Sequence, residues 1–395
     1  MKAGWQLEKL GEVCSLISRG ISPKYLEQGG VCVLNQKCIR DHKINYSLAR
    51  RHDATAKRVT SDRFIQLGDV LVNSTGTGTL GRVAQVREAP GEPTTVDSHV
   101  TIVRPTPEKF FQDFFGYMLV FIEEAIKDAG EGCGGQTELA RSVLAEKFSV
   151  AYPDSLAEQQ RIAAIFDEAF AGIATARAAA EQNRQNARAL FESHLQSVFN
   201  QRGEGWNTST LGEVCKFVGG SQPPKAVFEK EPTPENIRLI QIRDYKSDKN
   251  IVYIPRSMAK RFCTADDVMI GRYGPPLFQI LRGLDGSYNV ALMKAVPDES
   301  KLSKDFLFYF LKNSDILQHV IYHSERAAGQ IGLTKETLEP YPIAIPDHAM
   351  QQRVIATIME LEAETQRLEA LYQRKLEALD ELKQSLLHQA FTGQL

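Results

Sequence analysis

Residues 350–395 read MQQRVIATIMELEAETQRLEALYQRKLEALDELKQSLLHQAFTGQL, and this stretch decides the fold. Apolar side chains recur in it in alternating steps of four and three residues, with Glu, Gln, Arg and Lys between them, and no Pro or Gly interrupts it before Gly393. Such an alternation predicts one long helix with a coiled-coil seam. The predicted seam consists of Val354, Ile358, Leu361, Thr365, Leu368, Tyr372, Lys375, Leu379, Leu382 and Leu386.

The same helix occurs earlier in the chain, in the same register. Each copy opens with Gln-Gln-Arg, at 159–161 and at 351–353. If the two helices pair antiparallel, Ala169 lies beside Leu379, Ala176 beside Tyr372 and Asn183 beside Thr365, so small residues face large ones and polar faces polar. The seam predicted for the earlier copy consists of Ile162, Phe166, Ala169, Ile173, Ala176, Ala180, Asn183, Ala187, Leu190 and His194.

The duplication extends to the regions that precede both helices. The sequence LGEVC at 10–14 recurs at 211–215, IRD at 39–41 recurs at 242–244, and GQ at 135–136 recurs at 329–330. A period this long indicates a duplicated unit and not a solenoid. Short apolar runs bounded by Gly and Pro predict strands, and the aromatic-rich segments 109–128 and 303–323 predict helices packed in a core.

The predicted fold is therefore α+β (mixed α/β), with an internal pseudo-twofold repeat. Two similar globular domains are separated by a long antiparallel two-helix coiled coil. We expect a first head at 1–155, a first spacer helix at 156–202, a second head at 203–348 and a second spacer helix at 349–395.

Composition excludes several classes of protein. No apolar run reaches the length that spans a bilayer, and the start of the chain lacks the apolar core of a signal peptide. Six cysteines without a CxxC pair argue against a zinc site or a disulfide framework, so we expect a cytoplasmic protein without a membrane. The net charge of −2 gives no bulk attraction to nucleic acid, so any DNA-binding face must arise from local clustering.

Basic stretches do cluster at matching places in both heads, at 37–63 and at 243–272. Loops with Gly lie nearby, and Arg and Gln are the side chains that bind guanine and adenine edges in bidentate fashion. The alternative is a solvated charged face with no ligand. The candidate DNA-binding residues are Gln36, Lys37, Arg40, Arg58, Ser74, Thr75, Thr77, Arg82 and Gln136 in the first head, and Gln241, Arg243, Lys246, Arg272, Tyr273 and Gln330 in the second.

No catalytic motif fits the sequence. The spacing Gly76-x-Gly78-x-x-Gly81 matches a dinucleotide fingerprint, but a strand-like segment follows it where that motif needs a helix. The chain has no Walker-type GKS or GKT and no Asn-Pro-Pro-Tyr/Phe of adenine methyltransferases. No acidic-basic cluster recurs in both copies, so we predict no catalytic residue and no metal site.

These features together resemble the specificity subunit of type I restriction–modification systems. The resemblance covers essentially the whole chain: the Trp…Leu-Gly-Glu-Val opening of each head, the Gly-Gln…Leu…Pro run closing it, EQQRI at 158–162, and AFTGQL at 390–395. One departure is that the second spacer lacks the Glu, reading AMQQR at 349–353.

The resemblance implies that each head is a target recognition domain for one half of a bipartite, asymmetric site in double-stranded DNA. It also implies two modification subunits that use S-adenosylmethionine to methylate adenine, and two restriction subunits that use ATP and Mg²⁺. The chain itself would hold no cofactor. The spacers would set the gap between half-sites and dock the modification subunits. Leu371 and Leu376, which lie off the predicted seam, either serve that docking or widen the seam.

Two alternatives stay open from the sequence. One is a stand-alone nuclease or methyltransferase with tandem heads, which would turn over DNA without partners. The other is a protein-binding scaffold that ignores DNA, which sequence-specific footprinting would exclude.

Overall fold

The computed structural model describes residues 4–133, 136–200, 205–325 and 332–395. The chain divides into two compact units, one of residues 1–180 with 374–395 and the other of residues 181–373. Each unit therefore contains a head together with part of both long helices.

The first unit contains fourteen strands among its described residues, most of them short. They are β1 (Trp5–Lys9), β2 (Cys14–Arg19), β3 (Tyr25–Leu26), β4 (Val31–Leu34), β5 (Ile39–Arg40), β6 (Lys43–Ile44), β7 (Arg50–His52), β8 (Val70–Asn73), β9 (Val83–Gln85), β10 (Thr94–Val96), β11 (Val100–Pro105), β12 (Glu131–Cys133), β13 (Gln136–Glu138) and β14 (Ser149–Pro153). The helices of its head are α1 (Gln112–Phe121), α2 (Glu123–Asp128) and α3 (Arg141–Glu146), and α4 (Leu156–Asn200) follows.

The second head repeats this plan with fewer strands among the described residues. They are β15 (Asn207–Thr210), β16 (Cys215–Gly219), β17 (Asn236–Ile240), β18 (Tyr253–Pro255), β19 (Phe262–Cys263), β20 (Val268–Gly271), β21 (Gln279–Leu281), β22 (Gly286–Tyr288), β23 (Leu292–Pro297) and β24 (Pro342–Ile345). Its helices are α5 (Leu211–Val214), α6 (Lys304–Leu311), α7 (Ser314–Glu325) and α8 (Lys335–Leu338), and α9 (His348–Phe391) ends the chain.

Each head contains two four-stranded sheets. The first has the same topology in both heads, with the order β2-β11-β8-β9 in the first head and β16-β23-β20-β21 in the second. The other has the order β10-β4-β7-β3 in the first head and β18-β17-β22-β19 in the second, and both contain one parallel pair, β4 with β10 and β17 with β22. This second sheet shares three strands between the heads but differs in the fourth, which pairs with β7 in the first head and with β22 in the second. The duplication inferred from sequence motifs is therefore a duplication of fold, and the mixed α/β prediction is confirmed.

The Leu-Gly-Glu motif closes the small sheet at the base of each head. The N–H groups of Leu10 and Gly11 donate to the carbonyls of Phe148 and Ala145, both at 2.9 Å. Leu211 and Gly212 make the same bonds in the second head, to Tyr341 and Glu339. A Cβ at Gly11 would come within 3.1 Å of Ala145, which explains why a glycine stands there.

The two long helices run antiparallel, as the seam pattern predicts. In the first unit the ring of Phe166 stacks on that of Phe391 at 5.9 Å, and Arg177 pairs with Asp380. In the second unit Arg184 donates to Gln373 at 2.6 Å. Residues further along α4 contact residues nearer the start of α9, and only antiparallel helices give this order of contacts.

The predicted register of that pairing is wrong. The seam pattern predicts Ala176 beside Tyr372, but the next residue, Arg177, contacts Asp380 and the carbonyl of Leu376, a shift of roughly two helical turns. The seam also rotates along each helix, because a helix of 3.6 residues per turn drifts away from a strict heptad. As a result Leu376 is buried while Lys375, Leu382 and Leu190 are exposed. Leu371, 44% exposed, does lie off the seam.

Each head packs its aromatic helices onto the two spacer helices. In the first unit Phe114 and Phe121 of α1 contact Phe391 at 5.3 and 5.1 Å between ring centroids. In the second unit Phe199 of α4 contacts Phe306 and Phe310 of α6 at 5.2 and 5.5 Å. The prediction that the aromatic stripe is core is confirmed. Burial also raises the pKa of the Cys14 and Cys215 thiols to about 12, as expected of small core residues.

Candidate nucleic-acid interface

A glycine-rich loop, residues 74–82, joins β8 to β9 in the first head. Gly76, Gly78 and Gly81 all have positive φ, at 102°, 77° and 84°, a backbone conformation that favours glycine. Gln36 lies against this loop and accepts a hydrogen bond from the Thr79 hydroxyl at 3.2 Å. A Cβ at Gly76 would come within 2.6 Å of the Gln36 Oε1 atom. The loop and the segment that begins at Gln36 therefore form one surface.

The strand that begins at Gln136 joins the same surface. Thr75 forms a β-bridge with Glu138, and the N–H of Leu139 donates to the Ser74 carbonyl at 2.9 Å. Arg19 holds this strand by donating to the Leu139 carbonyl at 2.7 Å and pairing with Glu138 at 2.6 Å. The backbone of Gln136 thus lies beside the loop, and its side chain is outside the described part of the chain.

Ser74 does not belong to the exposed surface, and its inclusion among the candidates is corrected. It is buried, and its hydroxyl bonds to the Thr101 hydroxyl at 2.5 Å and to the Val72 carbonyl at 3.3 Å. Sequence could not distinguish it from its neighbours because a Ser-Thr-Gly run looks equally polar throughout. Thr75 is half-buried and bonds to His99 at 2.6 Å, and Thr77 is exposed.

Basic side chains lie near the loop, together with the acidic side chains of Asp41, Glu123 and Glu124. Arg82 is half-buried and donates to the Gly78 carbonyl at 2.9 Å. It lines two neighbouring cavities, one of about 280 Å³ shared with Arg40 and Lys127 and one of about 370 Å³ shared with Gly76, Gly78 and again Lys127. Lys37 and Arg40 are exposed, whereas Arg58, also exposed, follows β7 in the other sheet and lines neither cavity.

In the second head an arginine takes a structural role that the sequence did not reveal. Arg272 follows β20, and its Nε donates to the Leu333 carbonyl at 2.9 Å while a second nitrogen reaches the Val290 carbonyl at 3.4 Å. The N–H of Leu333 in turn donates to the Arg272 carbonyl at 3.1 Å. Arg272 therefore does for Leu333 what Arg19 does for Leu139. Arg272 is half-buried and supports the loop, and its contact with DNA stays a prediction.

The remaining candidates of the second head surround that loop. A Cβ at Gly271 would lie 3.3 Å from Ile242, so the segment that begins at Gln241 abuts the loop as the Gln36 segment does in the first head. Arg243 and Lys246 are exposed on this segment, and Tyr273 is 39% exposed on the loop. Burial raises the pKa of the Asp244 carboxyl, although Arg238 and Arg243 act in the opposite direction. Gln330 lies outside the described residues.

Each head thus brings a glycine-bearing loop, a glutamine segment and exposed basic residues together. Lysine and arginine at the rim suit phosphate contacts, and exposed threonine, glutamine and tyrosine suit contacts to base edges. Sequence reasoning missed Lys127, His42 and Arg19. The first two lie across cavities from the loop, and only tertiary structure brings them there.

Metal-binding clusters and membrane-spanning helices are both absent from the described residues. These residues contain no group of three or more His, Cys, Asp or Glu placed to hold a metal ion. Nor does any helix in that part of the chain combine the length and apolar character needed to cross a membrane.

Comparisons with known proteins place these heads in context. Residues 203–378 match the family model described as the type I restriction modification DNA specificity domain. A solved structure titled for complex assembly and conformational transition of the type I R-M system is similar over 100% of this chain and 99% of its own, with a TM-score of 0.81 and 19% identity. The HsdS subunit from Thermoanaerobacter tengcongensis is similar over 100% and 98%, with a TM-score of 0.58 and 20% identity. No curated protein matches in sequence.

Proposed function

We infer from the match of residues 203–378 to the type I restriction modification DNA specificity domain that the whole chain works as a DNA-recognition subunit. The observation that carries the inference from the second head to the first is their shared loop architecture. In both heads a leucine N–H donates to the carbonyl at the start of the loop, Leu139 to Ser74 and Leu333 to Arg272. The first head thus has the same frame for a DNA-reading loop as the matched region.

Each head, in this proposal, recognises one half of a bipartite site in double-stranded DNA. The frames are equivalent but the side chains differ, for example Thr77 and Arg82 in the first loop against Tyr273 in the second. Different side chains favour different base pairs, so the two half-sites would be unlike and the whole site asymmetric. Base contacts would come from the exposed candidates and phosphate contacts from Lys37, Arg40, Arg243 and Lys246.

The partners in this proposal are two modification subunits and two restriction subunits. The modification subunits would bring S-adenosylmethionine, and the restriction subunits would bring ATP and Mg²⁺. The exposed Leu371 and Leu190 of the spacer helices offer apolar surface for docking the modification subunits. The chain itself would be non-catalytic and would work in the cytoplasm.

Head exchange tests the assignment of one head to one half-site. The bound sequence is first selected from a library of randomised duplexes with the chain in complex with the modification subunits of its own system. Replacing residues 1–155 with the first head of another specificity subunit should then change one half of the selected sequence and leave the other half intact. Changes in both halves would refute the assignment. Turnover of DNA by the purified chain with Mg²⁺ and S-adenosylmethionine, without partners, would favour the tandem-head enzyme instead.

Shortening both spacer helices should shorten the gap between the half-sites. Deleting 184–190 and 367–373 removes seven residues from each helix and includes the facing pair Arg184 and Gln373. Seven residues span about 10 Å and make almost two whole turns of the helix, so the deletion hardly rotates the residues that follow it. The optimal gap should therefore fall by about three base pairs. Selection from the randomised library measures the gap. An unchanged gap would exclude the spacers as its determinant.

A further inference from the structure

A small hairpin of the first head carries exposed basic residues next to the loop 74–82. It consists of β5 and β6, and its two-residue turn is Asp41-His42, with φ of 51° and 57°. Arg40 and Lys43 are paired partners on its two strands and both are exposed. Two-residue turns with positive φ at both positions are common in tight hairpins. The hairpin contributes Arg40 and His42 to the same cavity as Arg82 and Lys127.

His42 at the tip of the hairpin is held from two sides. Its Nε2 lies 2.7 Å from a carboxylate oxygen of Glu123, the first residue of α2. Its Nδ1 lies 2.9 Å from the ammonium nitrogen of Lys383, which belongs to the C-terminal helix α9. Glu123 is 8% exposed and also pairs with Lys127 at 3.0 Å. The Lys383 ammonium lies over the ring of Phe170 at 5.3 Å.

The chemistry of the three groups fixes the direction of the hydrogen bonds. An ammonium group can only donate, so Nδ1 of His42 accepts from Lys383 and its Nε2–H donates to Glu123. Burial lowers the pKa of Lys383, and the carboxylates of Glu123, Asp380 and Asp41 oppose that effect. Burial also favours the neutral form of Glu123, but the hydrogen bonds from His42 and Lys127 keep its pKa below the ordinary value. The Lys383 side chain and the Glu123 carboxylate are thus joined through the imidazole ring of His42.

The described part of the second head has no counterpart of the contacts that His42 makes with Glu123 and Lys383. Asp315 lies in the first turn of α7, the helix equivalent to α2, but it accepts from Gln196 and Asn200 of α4 at 2.8 and 2.7 Å. The segment equivalent to the hairpin is a 3-10 turn, Ile242–Tyr245. The contact of α9 with the hairpin is therefore an addition peculiar to the first head and not part of the shared frame.

We propose that Lys383, acting through His42, positions the β5–β6 hairpin so that Arg40 and Lys43 bind the phosphate backbone at the first half-site. This rests on the proposed DNA-recognition function. Lys383 and His42 are positioning residues and contact no base. The C-terminal helix α9, which follows the second head in the chain, then takes part in DNA binding by the first head.

The test compares Lys383→Met with Lys375→Met in the complex with modification subunits, using the duplex obtained by selection. Methionine keeps an apolar stem over Phe170 but removes the donor, and Lys375 is exposed on the same helix. Lys383→Met should bind the duplex about tenfold more weakly, and Lys375→Met should bind as the wild type does. The slope of log K against log salt should also fall, by about 0.9 for each phosphate that the hairpin no longer neutralises. Lys383→Arg, which keeps a donor, should restore most of the binding.

A variant with both Arg40→Ala and Lys43→Ala distinguishes loss of hairpin positioning from general destabilisation of the protein. In an Arg40→Ala, Lys43→Ala background Lys383→Met should have no further effect, because the side chains it positions are already absent. A decrease of full size in that background, or wild-type affinity of Lys383→Met, would overturn the inference while DNA recognition itself stands. Failure of the wild-type complex to bind any selected duplex would instead refute the proposed function. If Lys383→Met destabilises the first unit, His42→Asn tests the proposal in its place. Asparagine tolerates the positive φ but cannot contact both Glu123 and Lys383. This variant should show the same decrease in affinity for the duplex.

Discussion

Gln351→Leu should lower the unfolding free energy of the second unit by about 3 kcal/mol or more. The amide of Gln351 is buried at the start of α9 and satisfies three backbone groups. It accepts from the Ser303 N–H at 2.9 Å and donates to the carbonyls of Lys301 and Pro346 at 2.7 and 3.0 Å. Leucine fills the space but leaves all three groups without a partner away from water, and each such group costs about 1–3 kcal/mol.

The chain provides its own reporters and controls for this measurement. Each head has one tryptophan, Trp5 and Trp206, so Trp5→Phe leaves a probe of the second unit alone. Denaturant unfolding of Gln351→Leu followed by Trp206 fluorescence should be compared with that of Gln352→Leu, the same change at an exposed neighbour. Equal midpoints for the two variants would show that the buried amide contributes nothing.

The first unit repeats the arrangement and should repeat the result. Gln159 accepts from the Phe111 N–H at 2.8 Å and donates to the carbonyls of Pro153 and Lys109 at 2.8 and 3.3 Å. Its exposed neighbour Gln160 is the matched control. The sequence showed Gln-Gln-Arg at the start of both spacer helices, but which glutamine matters depends on tertiary contacts.

Much of the fold could be predicted because it is encoded in local repetition. The seam of apolar residues predicted two long helices, the repeated Leu-Gly-Glu motif predicted two equivalent heads, and the aromatic stripe of 110–121 predicted a core. Each of these depends on side-chain periodicity or on short-range motifs, which are visible without coordinates. The antiparallel direction was predicted correctly, although the residue pairs used to argue it are not the pairs that meet. The contacts of Phe166 with Phe391 and of Arg177 with Asp380 establish the direction.

The register and the roles of individual loop residues could not be predicted. Register depends on the few large side chains, such as Leu376, that become buried once the helices drift from a strict heptad. Arg272 and Ser74 looked like surface groups because sequence does not show which backbone carbonyl or hydroxyl lies opposite. Arg272 in fact holds Leu333, and Ser74 bonds inward to Thr101.

The two heads share their frame and differ where a ligand would be contacted. The bonds from Leu139 and Leu333 to the loop starts are the same, and so are the glutamine contacts at the spacer helices. The loops differ: Thr79 bonds to Gln36 in the first head, whereas in the second Arg272 and Tyr273 follow the strand directly. A duplicated frame with divergent loops is what recognition of two unlike half-sites requires, since function resides on loops held by a rigid scaffold.

Gly76→Ala should abolish most recognition of the first half-site, with about a hundredfold decrease in affinity, while Gly78→Ala should cause no more than about a tenfold decrease. Both glycines have positive φ, so both substitutions strain the backbone by about 1 kcal/mol or more. Only at Gly76 does the new Cβ also collide, with the Thr79 hydroxyl and with the Gln36 Oε1 at 2.6 Å, while at Gly78 it meets open space. The difference between the variants therefore reports the packing of Gly76 against Thr79 and Gln36, whose side chains are hydrogen-bonded to each other.

The measurement uses the selected duplex and two derivatives, each with one half-site scrambled. Gly76→Ala should lose the preference for the intact first half-site and keep the preference for the intact second, because the second head has its own loop. Trp5 fluorescence should show the first unit still folded, since Gly76 itself lies just after the end of β8 and is not among the residues of the hydrophobic core. Equal decreases for Gly76→Ala and Gly78→Ala would mean that Gln36 does not shape the reading surface, and a decrease at both half-sites would mean that the heads do not read DNA independently.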